Sequence, residues 1–322
     1  MNASSERAGD EELRVVLGAT ATGKTAFALA LAERAGAEIV SLDSMLVYRG
    51  MDVGTAKPPA AERARIPHHA LDLVPPSTVF TVQDYLAAAQ AALEDVRRRG
   101  GRALFVGGTA FYYKALTQGL FEGPDVDSEL RGALERRYER EGADALHREL
   151  ARVDSLAARR IHANDKKRVV RALEVFEQTG RPLSDWQREW GWGEGGGASP
   201  IGRPRRVVEL CVPAPELDRR IAERTRRMLD GGWVEEALAV RAAGGFSATS
   251  RQALGYADVL ELADGVLSRA EAEERIALRT RQFSRRQRTW LRKFTEARRI
   301  EAPENAEDRA EVLDAVLAGF GW

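Results

Sequence analysis

Apolar residues fall along this chain in two rhythms. Near the N-terminus short apolar runs alternate with longer amphipathic stretches. "LRVVL" (13–17) reads as a buried strand and "TAFALALAERAG" (25–36) as a helix stopped by Gly36. "AEIVSLD" (37–43) reads as a second strand, ending on Asp43. "TVQDYLAAAQAALEDVRRRG" (81–100) reads as a helix, with Thr81 as N-cap and Gly100 past its end. "RALFVGGT" (102–109) reads as a third strand running into a glycine turn. Strands alternating with helices predict an α/β fold, a parallel sheet with crossover helices. From about 121 to 190 the pattern is helical throughout, with no strand candidate. A glycine-rich stretch, "GWGEGGGASPIGRP" (191–204), leads to strand "RRVVELCV" (205–212). Helices are expected again at about 215–243, 249–263 and 270–295. The expected organisation is therefore a disordered segment at 1–12, an α/β core from 13–120 and 205–300, a helical insertion domain at 121–204, and a C-terminal tail at 301–322.

Composition narrows the class. The 322 residues are 44% hydrophobic and 30% charged, with a net charge of +0, so any affinity for nucleic acid must come from a local basic face. Cys211 is the only cysteine, which excludes an internal disulfide. No apolar run is long enough to span a bilayer, and the first residues lack the apolar core of a secretory signal, so a cytoplasmic protein is expected. Only six of the 49 basic side chains are lysine, so a lysine at a motif position is informative.

"GATATGKT" (18–25) is such a motif: Gly18, Gly23, Lys24 and Thr25 match the phosphate-cradling pattern G-x-x-x-x-G-K-[ST], and the loop sits between strand and helix, which makes the expected α/β sheet P-loop NTPase-like. Backbone N–H groups of Ala19, Thr20, Ala21 and Thr22 and the helix N-terminus can face an anion. Lys24 adds a cation, and Thr25 can ligate Mg2+. A nucleotide-hydrolysing site would need an acid at the end of a later strand, yet "RALFVGG" ends in glycines and Thr109. The acid closes the second strand instead, as Asp43. Strand ends of an open parallel sheet line one crevice, so cradle, carboxylate and hydroxyl should converge. That suits a base acting on a nucleophile opposite a phosphate leaving group. The plainer alternative for Asp43 is helix or turn capping.

A basic stripe lies further on. Between 275 and 299 ten positive side chains (Arg275, Arg279, Arg281, Arg285, Arg286, Arg288, Arg292, Lys293, Arg298 and Arg299) meet one acid, Glu296. Arg281, Arg285, Arg288 and Arg292 share a helical stripe, while Ile276, Phe283, Trp290 and Phe294 form an apolar one. A solvated helix face or an RNA-backbone surface would both look like this. Lys167, Arg168 and Arg171 make a smaller cluster. The four histidines show no metal-ligand spacing. Trp186, Trp190 and Trp192 are expected to pack the insertion, with stacking on RNA as the alternative.

Four stretches together, "GATATGKT", "SLDSMLVYRGMDVGTAKP", "LFVGGTAFYYKAL" and "RIHANDKKRVVRALEVFEQTG", resemble the tRNA dimethylallyltransferase (tRNA isopentenylpyrophosphate transferase) family. The resemblance continues through "RRIAERTRRML", "RQALGY" and "RRQRTWLR", covering about residues 13 to 295. The loop departs from the commoner "GPTASGKT" at positions that leave the cradle intact. The resemblance implies transfer of a dimethylallyl group from dimethylallyl diphosphate to the exocyclic N6 amine of the adenosine just 3′ of the anticodon. It makes the cradle a pyrophosphate site that needs Mg2+ and no ATP. Asp43 is then the base, Thr109 the hydroxyl at the reacting centre, and Arg224, rather than Arg220 one turn away, a ligand of the leaving pyrophosphate. It further implies tRNA contacts from Asp43, Ser44, Met45, Leu46, Thr109, Arg131, Lys167, Arg168, Arg171, Arg251, Gln252, Gly255, Tyr256, Arg285, Arg288 and Arg292. The partner is the anticodon stem-loop, its target base flipped from the stack, and a monomer suffices. A small-molecule kinase on the same core is opposed by the missing strand-end acid and the basic helix. A GTPase-like switch is opposed by the lack of an N-K-x-D segment.

Overall fold

A computed structural model describes residues 12–119, 123–189, 204–303 and 305–322. Of the segment expected to be disordered at 1–12 only Glu12 is described; the rest of it, the glycine-rich stretch up to 203, and Trp190 and Trp192 lie outside the described residues. The chain runs β1 (Leu13–Gly18), α1 (Lys24–Ala35), β2 (Ala37–Leu42), α2 (Ala60–Arg65), β3 (His68–His69), α3 (Val82–Arg98), β4 (Arg102–Gly107) and α4 (Ala110–Gln118). Five helices follow: α5 (Ser128–Glu141), α6 (Ala143–Val153), α7 (Ser155–Arg160), α8 (Lys166–Thr179) and α9 (Leu183–Glu189). The remainder is β5 (Pro204–Cys211), α10 (Ala214–Asp230), α11 (Trp233–Ala242), a short 3-10 turn at Ser250–Gln252, α12 (Tyr256–Ala263), α13 (Arg269–Leu291), β6 (Ala297–Glu301) and α14 (Ala306–Phe320). Two compact units emerge, Met1–Thr117 with Pro200–Trp322, and Gln118–Ser199.

The first unit is one six-stranded sheet in the order β3-β2-β4-β1-β5-β6, every described pairing parallel. The strands read as near-continuous apolar runs because helices cover both faces. One face packs Tyr85, Tyr113, Trp233, Tyr256 and Ile276 from the helices against Val15, Val40 and Phe105. The other packs α1 through Phe27 and Leu31 and α14 through Leu313, Val316 and Phe320. The stretch expected as a tail thus holds a helix that closes the core. Strand β6 was not expected either, and it removes Arg298 and Arg299 from the basic helix, which ends at Leu291.

Local signals set the boundaries. Thr81 and Asp84 cap α3 reciprocally, and Ser268 with Glu271 does the same for α13. Gly36 ends α1 at φ 61.

The second unit is helical. Its core is Leu134, Leu146, Leu150, Val169 and Leu173. Glu174, 0% exposed, accepts from the Asp127 N–H at 3.1 Å, and Arg131 and Arg171 reach its Oε2 at 2.7 and 3.1 Å.

Candidate active site

β2, β4 and β1 are consecutive in the sheet, so their C-terminal ends open side by side into one cleft. The loop after β1 is the phosphate cradle. Thr22 Oγ1 donates to the Ala19 carbonyl at 2.9 Å, closing the loop on itself. Ala21 and Gly23 take positive φ, 65° and 85°, which turns successive N–H groups toward one point. No side chain caps the N-terminus of α1, so its first N–H groups stay available to an anion. Lys24 Nζ lies 3.2 Å from the Ala19 carbonyl. Burial pushes the Lys24 ammonium down to about 8, the carboxylate of Asp43 opposing and the Arg224 cation adding to the shift. Burial lowers Arg224 as well, again with Asp43 opposing. Arg220 sits beside the loop too, yet its Nε is committed to Glu216 at 2.7 Å. Two poorly solvated cations therefore face a single carboxylate, which leaves a positive well open to a polyanion.

The second half of the site comes from β2 and β4. A Cβ on Gly107 would lie 2.0 Å from the Leu42 carbonyl oxygen, so only glycine lets the two strand ends converge. The Thr109 N–H donates to that carbonyl at 3.3 Å, and Thr109 Oγ1 accepts from the Ser44 N–H, also at 3.3 Å. Asp43 Oδ1 accepts from the Met45 N–H at 2.8 Å, so the capping role is real and occupies one oxygen. Behind Asp43, Tyr85 and Tyr112 stack at 4.1 Å. Burial raises both phenols, and the Asp43 charge adds to it. The cleft encloses about 430 Å³, with Lys24, Asp43, Thr109, Arg224, Phe283 and Gln287 among its lining.

Its outer wall is residues 52–58, and sequence reasoning missed what holds it. Glu236 on α11 accepts from the N–H groups of Asp52, Val53 and Gly54 at 2.6, 2.7 and 3.0 Å, and from the Tyr256 hydroxyl at 2.6 Å. A Cβ on Gly54 would lie 2.0 Å from Trp233 Nε1, which accounts for that glycine. Lys57 is buried and reaches Asp52, Asp72 and the Tyr48 carbonyl at 2.5, 2.5 and 2.8 Å. The recognisable "GTAKP" lysine is therefore a strut. An alternative signal was present: a glutamate one turn into α11, with no partner of its own in sequence.

The other candidates divide. Ser44, Met45, Leu46 and Gln252 line the cleft. Arg251 is exposed, whereas Gly255 and Tyr256 are buried, Tyr256 at 2% exposure. Arg285 on α13 and Arg292 at its C-cap are exposed, and Arg288 on α13 is half-buried. No carboxylate among the described residues pairs with these three. Arg275 and Arg279 are instead bound to Asp258, which is 0% exposed, and Arg299 to Glu209. In the helical unit Lys167 and Arg168 are exposed, while Arg131 and Arg171 are held by Glu174. Trp186 is half-buried under Arg181. His147 touches the Ala158 and Ile161 carbonyls, and His69 pairs with Glu38. His68 lines the cleft, its imidazolium disfavoured by burial.

Residues 46–294 match the IPP transferase family and residues 11–71 match isopentenyl transferase. The tRNA dimethylallyltransferase of Geobacter metallireducens is 44% identical over 300 residues, covering 91% of this chain and 94% of that protein. That of Methylococcus capsulatus is 46% identical over 291 residues, covering 89% and 91%. Among solved structures, the tRNA isopentenylpyrophosphate transferase of Bacillus halodurans superimposes with a TM-score of 0.68 at 31% identity, covering 97% of both chains.

Proposed function

This chain belongs to the IPP transferase family, and from that premise we infer that it is a transferase placing a dimethylallyl group on tRNA. The donor is dimethylallyl diphosphate, and the acceptor is the N6 amine of the adenosine 3′ to the anticodon. The observation that carries this reading is the pairing of an uncapped, doubly cationic cradle with Asp43 and Thr109 across one cleft.

An adenine amine is a poor nucleophile because its lone pair is delocalised into the ring. An allylic diphosphate is a good electrophile once its departing charge is neutralised, so the enzyme must hold pyrophosphate hardest at the transition state. The N6 lone pair attacks C1 of the dimethylallyl group. The C1–O bond breaks, and its electron pair leaves with the pyrophosphate. The surplus amine proton passes to the oxygen of Asp43 not engaged by Met45. Lys24, Arg224 and the uncapped N–H groups at the start of α1 hold the leaving group, and Thr109 orients the reacting centre. Thr25 is exposed at the mouth of the cradle, and Ser41 Oγ is buried, unpartnered and lines the same cleft. Hydroxyls beside one carboxylate suit Mg2+, which keeps water and phosphate oxygens as ligands. Thr25 would hold the ion, which neutralises the leaving group's charge when bound. Both halves of the site come from one chain, so a monomer suffices, and a tRNA substrate puts the work in the cytoplasm.

The test is transfer itself. Protein, Mg2+, labelled dimethylallyl diphosphate and unmodified tRNA are mixed without ATP, and label is expected in the tRNA. No label, with ATP turnover on a small acceptor, would replace this reading by the kinase.

A further inference from the structure

Gln287 belongs to none of the groups assigned so far, yet it touches both halves of the site. It projects from α13, is 7% exposed and lines the cleft. Its Oε1 accepts from the Thr20 N–H of the cradle at 2.9 Å, and its Nε2 donates to the Gly108 carbonyl at 2.9 Å. The partners fix the orientation of the amide, since an N–H can only be met by the oxygen and a carbonyl only by the nitrogen. The β1–β4 ladder ends at Leu17 and Gly107, and the amide carries the connection one step further. The fit is close: a Cβ on Gly108 would lie 2.7 Å from Gln287 Nε2. Gly108 leads directly into Thr109, which binds the N–H next to Asp43.

We propose that Gln287 is a positioning residue whose amide locks the cradle against the Gly108–Thr109 turn and thereby sets the gap between the diphosphate carbon and the acceptor amine. The proposal rests on the transferase reading above. It assigns Gln287 to the approach of the two reactants and not to the binding of either, because the side chain meets only backbone. Misplacing reacting atoms by about 1 Å costs on the order of 100-fold in rate.

Gln287→Met fills the space without either hydrogen bond. Its kcat is expected to fall by on the order of 100-fold. The KM for dimethylallyl diphosphate and the Kd for inorganic pyrophosphate, measured by calorimetry, should stay within about threefold. Gln287→Glu keeps the shape and the acceptor for Thr20 but turns an oxygen toward the Gly108 carbonyl. Its carboxyl can donate there only when protonated, so its turnover relative to wild type should recover as pH falls. A Met variant with kcat within about threefold of wild type overturns the proposal. So does a loss lying wholly in the dimethylallyl diphosphate KM. If the Met variant does not fold, the Glu variant decides, and a ratio to wild type that is flat with pH overturns the proposal. Wild-type protein in the same assay separates the two readings. No transfer by wild type sinks the transferase assignment itself, whereas normal transfer by wild type and both variants sinks only the role of Gln287.

Discussion

Asp43 divides its work between two oxygens. Oδ1 holds the turn through Met45, and only the other is open to take a proton. Asp43→Asn keeps an oxygen for Met45 and removes the base. Turnover should drop by on the order of 10²–10⁴-fold, while tRNA affinity measured by filter binding stays within about threefold. Unchanged turnover would take Asp43 out of the base role. Lys24 supplies a pH signature. Its pKa falls from 10.5 to about 8 in the folded chain, chiefly through burial. Between those values the unfolded chain binds the extra proton, so this group makes stability rise with pH across that window. Pyrophosphate reverses the balance by favouring the ammonium. Binding near pH 8 should therefore draw a fraction of a proton onto Lys24, seen as a buffer-dependent calorimetric heat that shrinks in Lys24→Met. Equal proton uptake by the two proteins would mean Lys24 is not the group that responds.

At the level of elements, the wall at residues 52–58 depends on one side chain from α11. Glu236→Ala strands three backbone N–H groups and the Tyr256 hydroxyl. Leaving partly buried donors unmet costs about 1–3 kcal/mol, so the thermal midpoint should fall, and KM for tRNA should rise more than KM for dimethylallyl diphosphate. A selective rise for the diphosphate would assign this wall to the donor instead. The cradle, Asp43 and Thr109 were legible because each closes an apolar strand in a parallel sheet, where topology alone brings strand ends together. Glu236 and Gln287 were not, since their backbone partners lie 179 to 267 residues away, which no local pattern encodes. β6 escaped notice because an edge strand of "ARRIE" carries charge at three of five positions. β3 is two residues long and has no periodicity to read. α14 lies beyond every motif, and its apolar face makes sense only against α1.

For the molecule as a whole, a net charge of +0 removes any global attraction to RNA, so affinity must come from a few unpaired cations. The sequence counted ten positive residues at 275–299, and the structure divides them. Arg275 and Arg279 neutralise the buried Asp258, and Arg299 pairs with Glu209. Among the described residues no carboxylate pairs with Arg285, Arg288, Arg292 or, in the helical unit, Lys167, whereas Arg131 and Arg171 serve Glu174. This division predicts two kinds of alanine variant. Replacing Arg285, Arg288, Arg292 or Lys167 should weaken binding of an anticodon stem-loop and lower the slope of log K against log salt by about 0.7–0.9 each, with the thermal midpoint unmoved. Replacing Arg279 or Arg131 should leave that slope in place and lower the midpoint, because a buried carboxylate loses a partner. A slope that drops for Arg279→Ala as much as for Arg288→Ala would show that ion-paired arginines also reach the RNA, and that its footprint on α13 extends to the N-terminal half of the helix.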